Sequence, residues 1–424
     1  MPMKRKISLS ILFLLCACHH AKQQENLVLI QIQDRNGLSE TISNPDRLSS
    51  YTTVDFETTQ PYKKVVRVYR NEGKNRSVIT TYHANGTHWQ YLEAKEMRAF
   101  GAFKEWFPSG ARKIEATVIG GSAELSIGGQ ESWLFDGSSF VWNENGQLIA
   151  SILYDKGVLS GLSTYFYPSG AKEKEIPYVQ DLIEGELTEY WETGQIRAKT
   201  AYRNNLPDGM SQSFWPNQTL RSEEKYEEGQ LRSGHYRNLC GETVSEVNDG
   251  AGFRALFSST RLIQLQEVKK GQIEGFVKNF DAAGTVQSSF YMKNGKKHGE
   301  EIEYYSSKET SDSRLVPKIS ISWDQDAIHG HVKTWYPNEQ MQSQKEMCRN
   351  KRNGTSCSWY LNGSLMLVEE YENDILRKGQ YFRKNQTEPI STITNGNGVA
   401  TIFDEEGSLL RKVIYSNGKM VDPE

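Results

Sequence analysis

The chain has almost nothing that would build a helix. No window of its 424 residues holds apolar side chains at helical spacing for long, and 35 glycines recur too often for helix interiors. A basic excess is also missing. Its 50 Lys and Arg stand against 53 Asp and Glu, which gives no footprint for nucleic acid and no polybasic patch for anionic lipid. Only one long apolar run occurs, Ile7–Leu15, and it is too short to span a bilayer. Nucleophile elbows, phosphate loops and zinc-ligand spacings are absent as well. These absences point away from an enzyme, a cofactor and a metal.

What is present is a beat. Gly137, Gly161, Gly185 and Gly209 stand 24 residues apart, and Tyr154, Tyr178, Tyr202 and Tyr226 keep the same step. A second glycine marks mid-lap at Gly146, Gly170 and Gly194. A fixed period of this size marks a repeat architecture. Each lap opens with glycine, meets an aromatic pair, passes a Pro/Asn/Ser/Gly turn cluster, and continues into residues rich in Ile, Leu, Val, Thr and Tyr. Two short strands separated by turn chemistry make a hairpin. The expected fold is all-β: an elongated antiparallel β-meander of tandem hairpins of about 24 residues in one twisted sheet.

Alternation can be laid out on one lap. If its turn centres on Thr193 and Gly194, Trp191 faces Ile196, and Leu187, Ala198, Thr200 and Tyr202 share that side. Tyr190, Arg197, Lys199 and Arg203 then take the other. Adjacent aromatics point to opposite faces, so one ring of each pair belongs to the core and its neighbour to the outer face.

The beat extends both ways. It firms up from Pro61, stretches between Gly101 and Gly137 around a glycine-flanked insertion (Val118–Ser132), and wobbles through Gly234, Gly252, Gly275, Gly299, Gly330, Gly354, Gly379 and Gly398. Insertions in repeats map to loops, often on one face. Residues 61–424 read as one array, and residues 18–60 as a tether and a segment that caps the sheet's open edge. Leu27–Ile32 is the expected strand there.

The first 17 residues carry a positive start, the apolar run and small residues, the pattern of a secretory leader. Leu15-Cys16-Ala17-Cys18 resembles a bacterial lipobox, which makes Cys18 the lipidated first residue of the mature chain. His19 follows where inner-membrane lipoproteins usually carry aspartate, so the resemblance implies an outer-membrane lipoprotein facing the periplasm or the surface. The pattern G-x-x-x-x-Y-(Y/W)-x-x-G-x-(I/L), with Y-x-N-G closing the lap, resembles the variant MORN repeat. Arrays of that variant carry the label of YwqK-type antitoxin components. The resemblance covers about residues 61 to 424 and implies successive hairpins in a continuous antiparallel sheet.

Few residues offer chemistry. Cys348 and Cys357 flank a turn, and an oxidising compartment permits a disulfide between them; the other reading is two free buried thiols. Glu223-Glu224 and Glu300-Glu301 read as a solvated face. The outward aromatics Trp106, Phe166, Tyr190, Phe214, Tyr304, Trp335 and Trp359 are the candidate binding residues, since a ladder of rings stacks on sugars or docks a peptide. The competing reading buries them under a second layer or the sheet's own curl. Function is therefore expected to be a non-enzymatic, lipid-anchored scaffold that binds a protein or envelope component. The alternatives are an antitoxin or immunity protein that neutralises a toxin by direct binding, and a glycan-binding module.

Overall fold

A computed structural model describes residues 27–54, 58–70, 73–306, 309 and 314–421. The chain divides into two compact units, one ending at Leu159 and the other beginning at Ser160. Both are antiparallel sheets of consecutive hairpins, so the all-β repeat expectation holds in each. Among the described residues no helix is long and apolar enough to cross a membrane.

The first unit runs β1 (Leu29–Asp34), β2 (Ser39–Ile42), α1 (Pro45–Ser49), β3 (Lys63–Tyr69), β4 (Arg76–Tyr82), β5 (His88–Lys95), β6 (Arg98–Trp106), β7 (Arg112–Gly120), α2 (Ile127–Gln130), β8 (Leu134–Phe135), β9 (Gly137–Trp142), β10 (Leu148–Asp155) and β11 (Val158–Leu159). The sheet order is β2-β1-β3-β4-β5-β6-β7-β9-β10. The segment before residue 61 thus joins the sheet through β1 and leaves short β2 at its edge. One face buries Ile30, Ile42, Val66, Val68 and Tyr82 beneath Leu48 of α1, a helix capped by the Asn44 side chain. The other face buries Ile79, Leu92, Phe103 and Val118 beneath Ala123 and Trp133 of the insertion. The insertion is tied down locally: Trp133 Nε1 donates to the Ser122 carbonyl at 2.8 Å, and the indole meets Phe103 edge-on.

In the second unit, each lap uses two kinds of turn. The mid-lap turn pairs Trp191 N with the Gln195 carbonyl at 2.8 Å and Gly194 N with the Trp191 carbonyl at 2.8 Å. Gly194 takes φ +85°, the left-handed conformation glycine adopts without strain. The closing turn has two residues with positive φ, as in Asn204-Asn205, Arg349-Asn350 and Asn373-Asp374. Those turns match the right-handed strand twist. Their second side chains also bind the preceding lap: Asn205 Oδ1 accepts from Ile183 N at 2.6 Å, and Asn350 Oδ1 from Ile328 N at 2.7 Å.

Two register slips recur. One falls beside each mid-lap turn, as at Glu189/Tyr190, Ser213/Phe214, Thr334/Trp335 and Ser358/Trp359. It sets Tyr190, rather than Trp191, opposite Ile196 and corrects the register drawn above. Leu187, Thr200 and Ala198 nevertheless share a face as expected, because the slip lies beyond them. The other slip falls at the repeat glycine, where one residue opposes three. Glu346 faces Asn353, Gly354 and Thr355, and its Oε2 accepts from Thr355 N at 3.0 Å. Glu93 and Glu267 bind Ala102 N and Phe276 N at 2.9 and 2.7 Å in the same manner.

That packing explains the repeat glycine. A Cβ on Gly354 would lie 1.9 Å from Glu346 Oε2, at φ +111°. Gly354→Ala is expected to destabilise the protein by about 2 kcal/mol or more in urea unfolding, from backbone strain plus the displaced carboxylate. Gly128→Ala, in α2 with open space around it, is expected to leave the midpoint unchanged or slightly raised. Equal effects from the two variants would contradict this account.

Candidate binding surface

The slip beside each mid-lap turn places the first aromatic of every pair at the strand end, opposite the first residue after the turn. Trp106 faces Arg112, Phe166 faces Lys172 and Tyr190 faces Ile196. Phe214 faces Leu220, Tyr304 faces Pro317, Trp335 faces Met341 and Trp359 faces Leu365. All seven rings are half-buried. Five of the seven stand opposite an apolar residue across the strand pair, the arrangement in which cross-strand side chains interact. Trp106 also packs on the His88 ring at 5.2 Å. Tyr190 donates to Glu175 Oε2 at 2.6 Å. Burial, then this hydrogen bond, pushes its ionisation up to about 12.

The second aromatic of the pair turns inward, as expected from alternation. Trp215 and Tyr360 are fully buried and Tyr336 nearly so. The tyrosines at this place form a spine. Tyr167 donates to the Tyr190 carbonyl at 2.9 Å, Tyr305 to that of Trp335 at 2.6 Å, Tyr336 to that of Trp359 at 2.9 Å, and Tyr360 to that of Phe382 at 2.7 Å. Each hydroxyl therefore grips the backbone under the next aromatic pair. Where tryptophan replaces tyrosine, at Trp191 and Trp215, the indole N–H is buried with no hydrogen-bond partner among the described residues. Cations lie over both indoles, Arg197 over Trp191 at 5.8 Å and Arg221 over Trp215 at 5.5 Å, and over one spine tyrosine, Lys318 over Tyr305 at 5.3 Å. These residues sit at or next to the register slip, so the slip aims them.

The adjacent glutamates are not both solvated. Alternation sends one of each pair inward: Glu224 is 6% exposed and Glu301 8%. Glu224 accepts from Tyr226, Tyr236 and Arg254 Nε at 3.0, 2.7 and 2.9 Å. Glu369 repeats the arrangement, accepting from Tyr371 and Tyr381 at 2.9 and 2.7 Å, while Arg352 donates to the Tyr371 hydroxyl at 2.8 Å. Burial, then the glutamate charge, raises the ionisation of all four tyrosines. Arg254 is held charged by Glu224 although burial alone would work against it. Both stations lie beside the shortened laps Gly234–Gly252 and Gly379–Gly398. There Leu231 N and Leu376 N donate to the carbonyls of Gly271 and Gly418, two hairpins further on. The glutamates fix strands to one another, and both oxygens of each carboxylate accept hydrogen bonds within the cluster. The sequence carried a faint signal, since Glu-x-Tyr occurs at both places.

Cys348 and Cys357 are free thiols. The register separates them: Cys348 faces Lys351 and Cys357 faces Gln344, four residues back along the strand or roughly 13 Å. A disulfide requires Cα atoms within about 7 Å, so this pair does not form one. Burial raises the Cys357 thiol above its ordinary range. Cys18 lies outside the described residues.

The fold and this surface define a class: a repeat-built β scaffold whose regular features all serve to pass strands from one hairpin to the next. The MORN repeat variant matches residues 183–204 and 328–348, each centred on a mid-lap turn. No curated protein matches the chain. Among solved structures, a crystal structure of TcdB2-TccC3-Cdc42 is similar at 8% identity over 92% of this chain and 22% of that one, with a TM-score of 0.16. The Tc holotoxin pore of Photorhabdus luminescens is similar at 12% identity over 92% of this chain and 25% of that one, with a TM-score of 0.14. A porin-like protein from Bacteroides uniformis is similar at 11% identity over 64% of this chain and 93% of that one, with a TM-score of 0.15. The chain thus spans a quarter or less of the first two of these chains.

The spine predicts a split between tyrosines. Tyr360→Phe is expected to cost about 1–2 kcal/mol in chemical denaturation, because the Phe382 carbonyl loses its buried donor. Tyr304→Phe, at a half-exposed ring with no hydroxyl partner among the described residues, is expected to be neutral within experimental error. Equal costs would rule out the spine.

Proposed function

We propose that this chain is a non-enzymatic, lipid-anchored scaffold that holds a protein or other envelope component along its aromatic column. The observation that carries the reading is the column itself. In seven laps a half-exposed ring stands at the same strand position opposite a cross-strand partner, and at Trp335 and Trp359 neighbouring spine tyrosines hold the backbone. Aromatic rings on a rigid backing lose little entropy on binding and dominate interface energetics. A repeated spacing suits an extended partner that meets several laps in turn. The test is a photo-crosslinking residue at Trp335 or Trp359 in native cells, with Asn217 on an exposed turn as control. Discrete adducts are expected from the two column positions and not from the control. Adducts absent from the column, or equal at the control, would count against the proposal.

The anchor is a separate part of the proposal and rests on the Leu15–Cys18 pattern. Acyl chains on Cys18 would hold the scaffold at the outer membrane. Cys18→Ser is expected to move the protein from the membrane fraction to the soluble fraction. Unchanged partition would refute lipidation without touching the scaffold reading.

A further inference from the structure

The insertion of the first unit covers only part of the face it packs on. Ala123 and Trp133 sit over β4 to β7. Beyond Ala123 the same face continues across β3, β1 and β2 without a cover among the described residues. The register dictates what lies there. Thr41 stands opposite Gln31, and Gln31 opposite Arg67; Ser39 stands opposite Gln33, and Gln33 opposite Val65. Val65 faces Thr81, and Thr81 faces Gln90. These residues floor an open cavity of about 700 Å³, walled by Ala123–Ser126 on one side and bordered by Trp89. Its volume falls within the range of about 300–1,000 Å³ usual for ligand sites.

The chemistry of this shelf is unlike the rest of the unit. Its polar groups are carboxamides and hydroxyls, each able to donate and accept. Those of Gln31, Gln33, Ser39 and Thr41 enter no hydrogen bond within the described residues. Gln90, 3% exposed, has the Thr81 hydroxyl at 3.5 Å as its side-chain partner. The charges at the rim are committed or cancel. Arg67 donates to the Ala123 carbonyl, and Glu40 is paired with Arg47 at 2.7 Å. Lys64 and Glu124 remain, one of each sign. Trp89 presents its ring 41% exposed, steadied by His83 at 5.6 Å.

We propose that this shelf binds a neutral oligosaccharide. A pyranose ring has an apolar face and a rim of hydroxyls. Its face stacks on the Trp89 indole, and its hydroxyls exchange hydrogen bonds with the carboxamides of Gln31 and Gln33 and the hydroxyls of Ser39 and Thr41. The one cation and one carboxylate left at the rim, Lys64 and Glu124, cancel in charge, so the rim gives no net attraction to an anion or a cation and favours a neutral ligand. The open side of the shelf lets a chain of sugars continue past the edge strand β2. This site lies in the first unit and does not draw on Trp335 or Trp359, so it stands or falls independently of the scaffold proposal.

Isothermal titration of the whole protein with cellohexaose, maltohexaose, mannohexaose and chitohexaose tests it. Saturable heat is expected with at least one. Trp89→Ala is expected to abolish it, and the double change Gln31→Ala with Gln33→Ala to weaken it about tenfold, the loss of one or two polar contacts. Trp335→Ala should leave it unchanged. Thermal unfolding of each variant separates lost binding from lost folding. No saturable heat with any of the four sugars overturns the proposal. So does binding that survives Trp89→Ala, or binding of an extended peptide to β2 where the sugars give none.

Discussion

Each repeat has to hand its last strand to the next in the same register, and two register slips per lap make that possible. At the repeat glycine, one residue opposes three, and a side chain from the neighbouring strand lies over the bare Cα. In three laps that side chain is a glutamate whose carboxylate caps the adjacent backbone N–H: Glu93, Glu267 and Glu346. In others a small residue fills the space, as Ala201 does over Gly209 and Ser322 over Gly330. Beside the mid-lap turn, the second slip turns one aromatic inward and sets its neighbour against a cross-strand partner. Packing, turn chemistry and surface all follow from these two events, because each decides which way the following residues point.

The second unit has a polar interior to match. Its buried residues include Ser163, Thr188, Ser213, Ser288, Ser320, Ser343 and Ser356, on one face or the other, as well as aliphatic side chains. Hydroxyl pairs across strands, such as Thr200 with Ser211 and Thr334 with Ser343, satisfy one another at 2.8 and 2.7 Å. Such a sheet gains little from apolar burial and relies on directional bonds. The tyrosine spine and the two buried glutamate stations supply them at intervals. Larger apolar clusters gather around those stations, at Leu231 with Val247 and Val268 and at Leu376 with Ile393.

Much of this was legible in the residues. The 24-residue step, the paired aromatics and the Gly and Asn turns gave hairpins in the correct places, and alternation gave the inward ring of each pair. Other features were hidden for a physical reason. A one-residue slip leaves no mark in composition, so Tyr190 rather than Trp191 faces Ile196, and Cys348 and Cys357 lie apart along the strand instead of across from each other. The inward turn of Glu224 and Glu301 was hidden too, since a buried carboxylate is told from an exposed one only by the tyrosine, arginine, lysine and tryptophan donors brought to it. The carboxamide shelf joins residues more than fifty positions apart, and only pairing of β1 with β3 brings Gln33 into line with Val65, Thr81 and Gln90.

By itself, then, the sequence determined the repeat unit. Positive-φ turns, glycine at crowded Cα positions and period-2 alternation are local demands, and local residues meet them. Tertiary structure alone decided which side chains meet. The pairing of strands from distant laps sets register, and register, not residue type, settles whether a glutamate is buried, a tyrosine finds a carbonyl, or a face is left open.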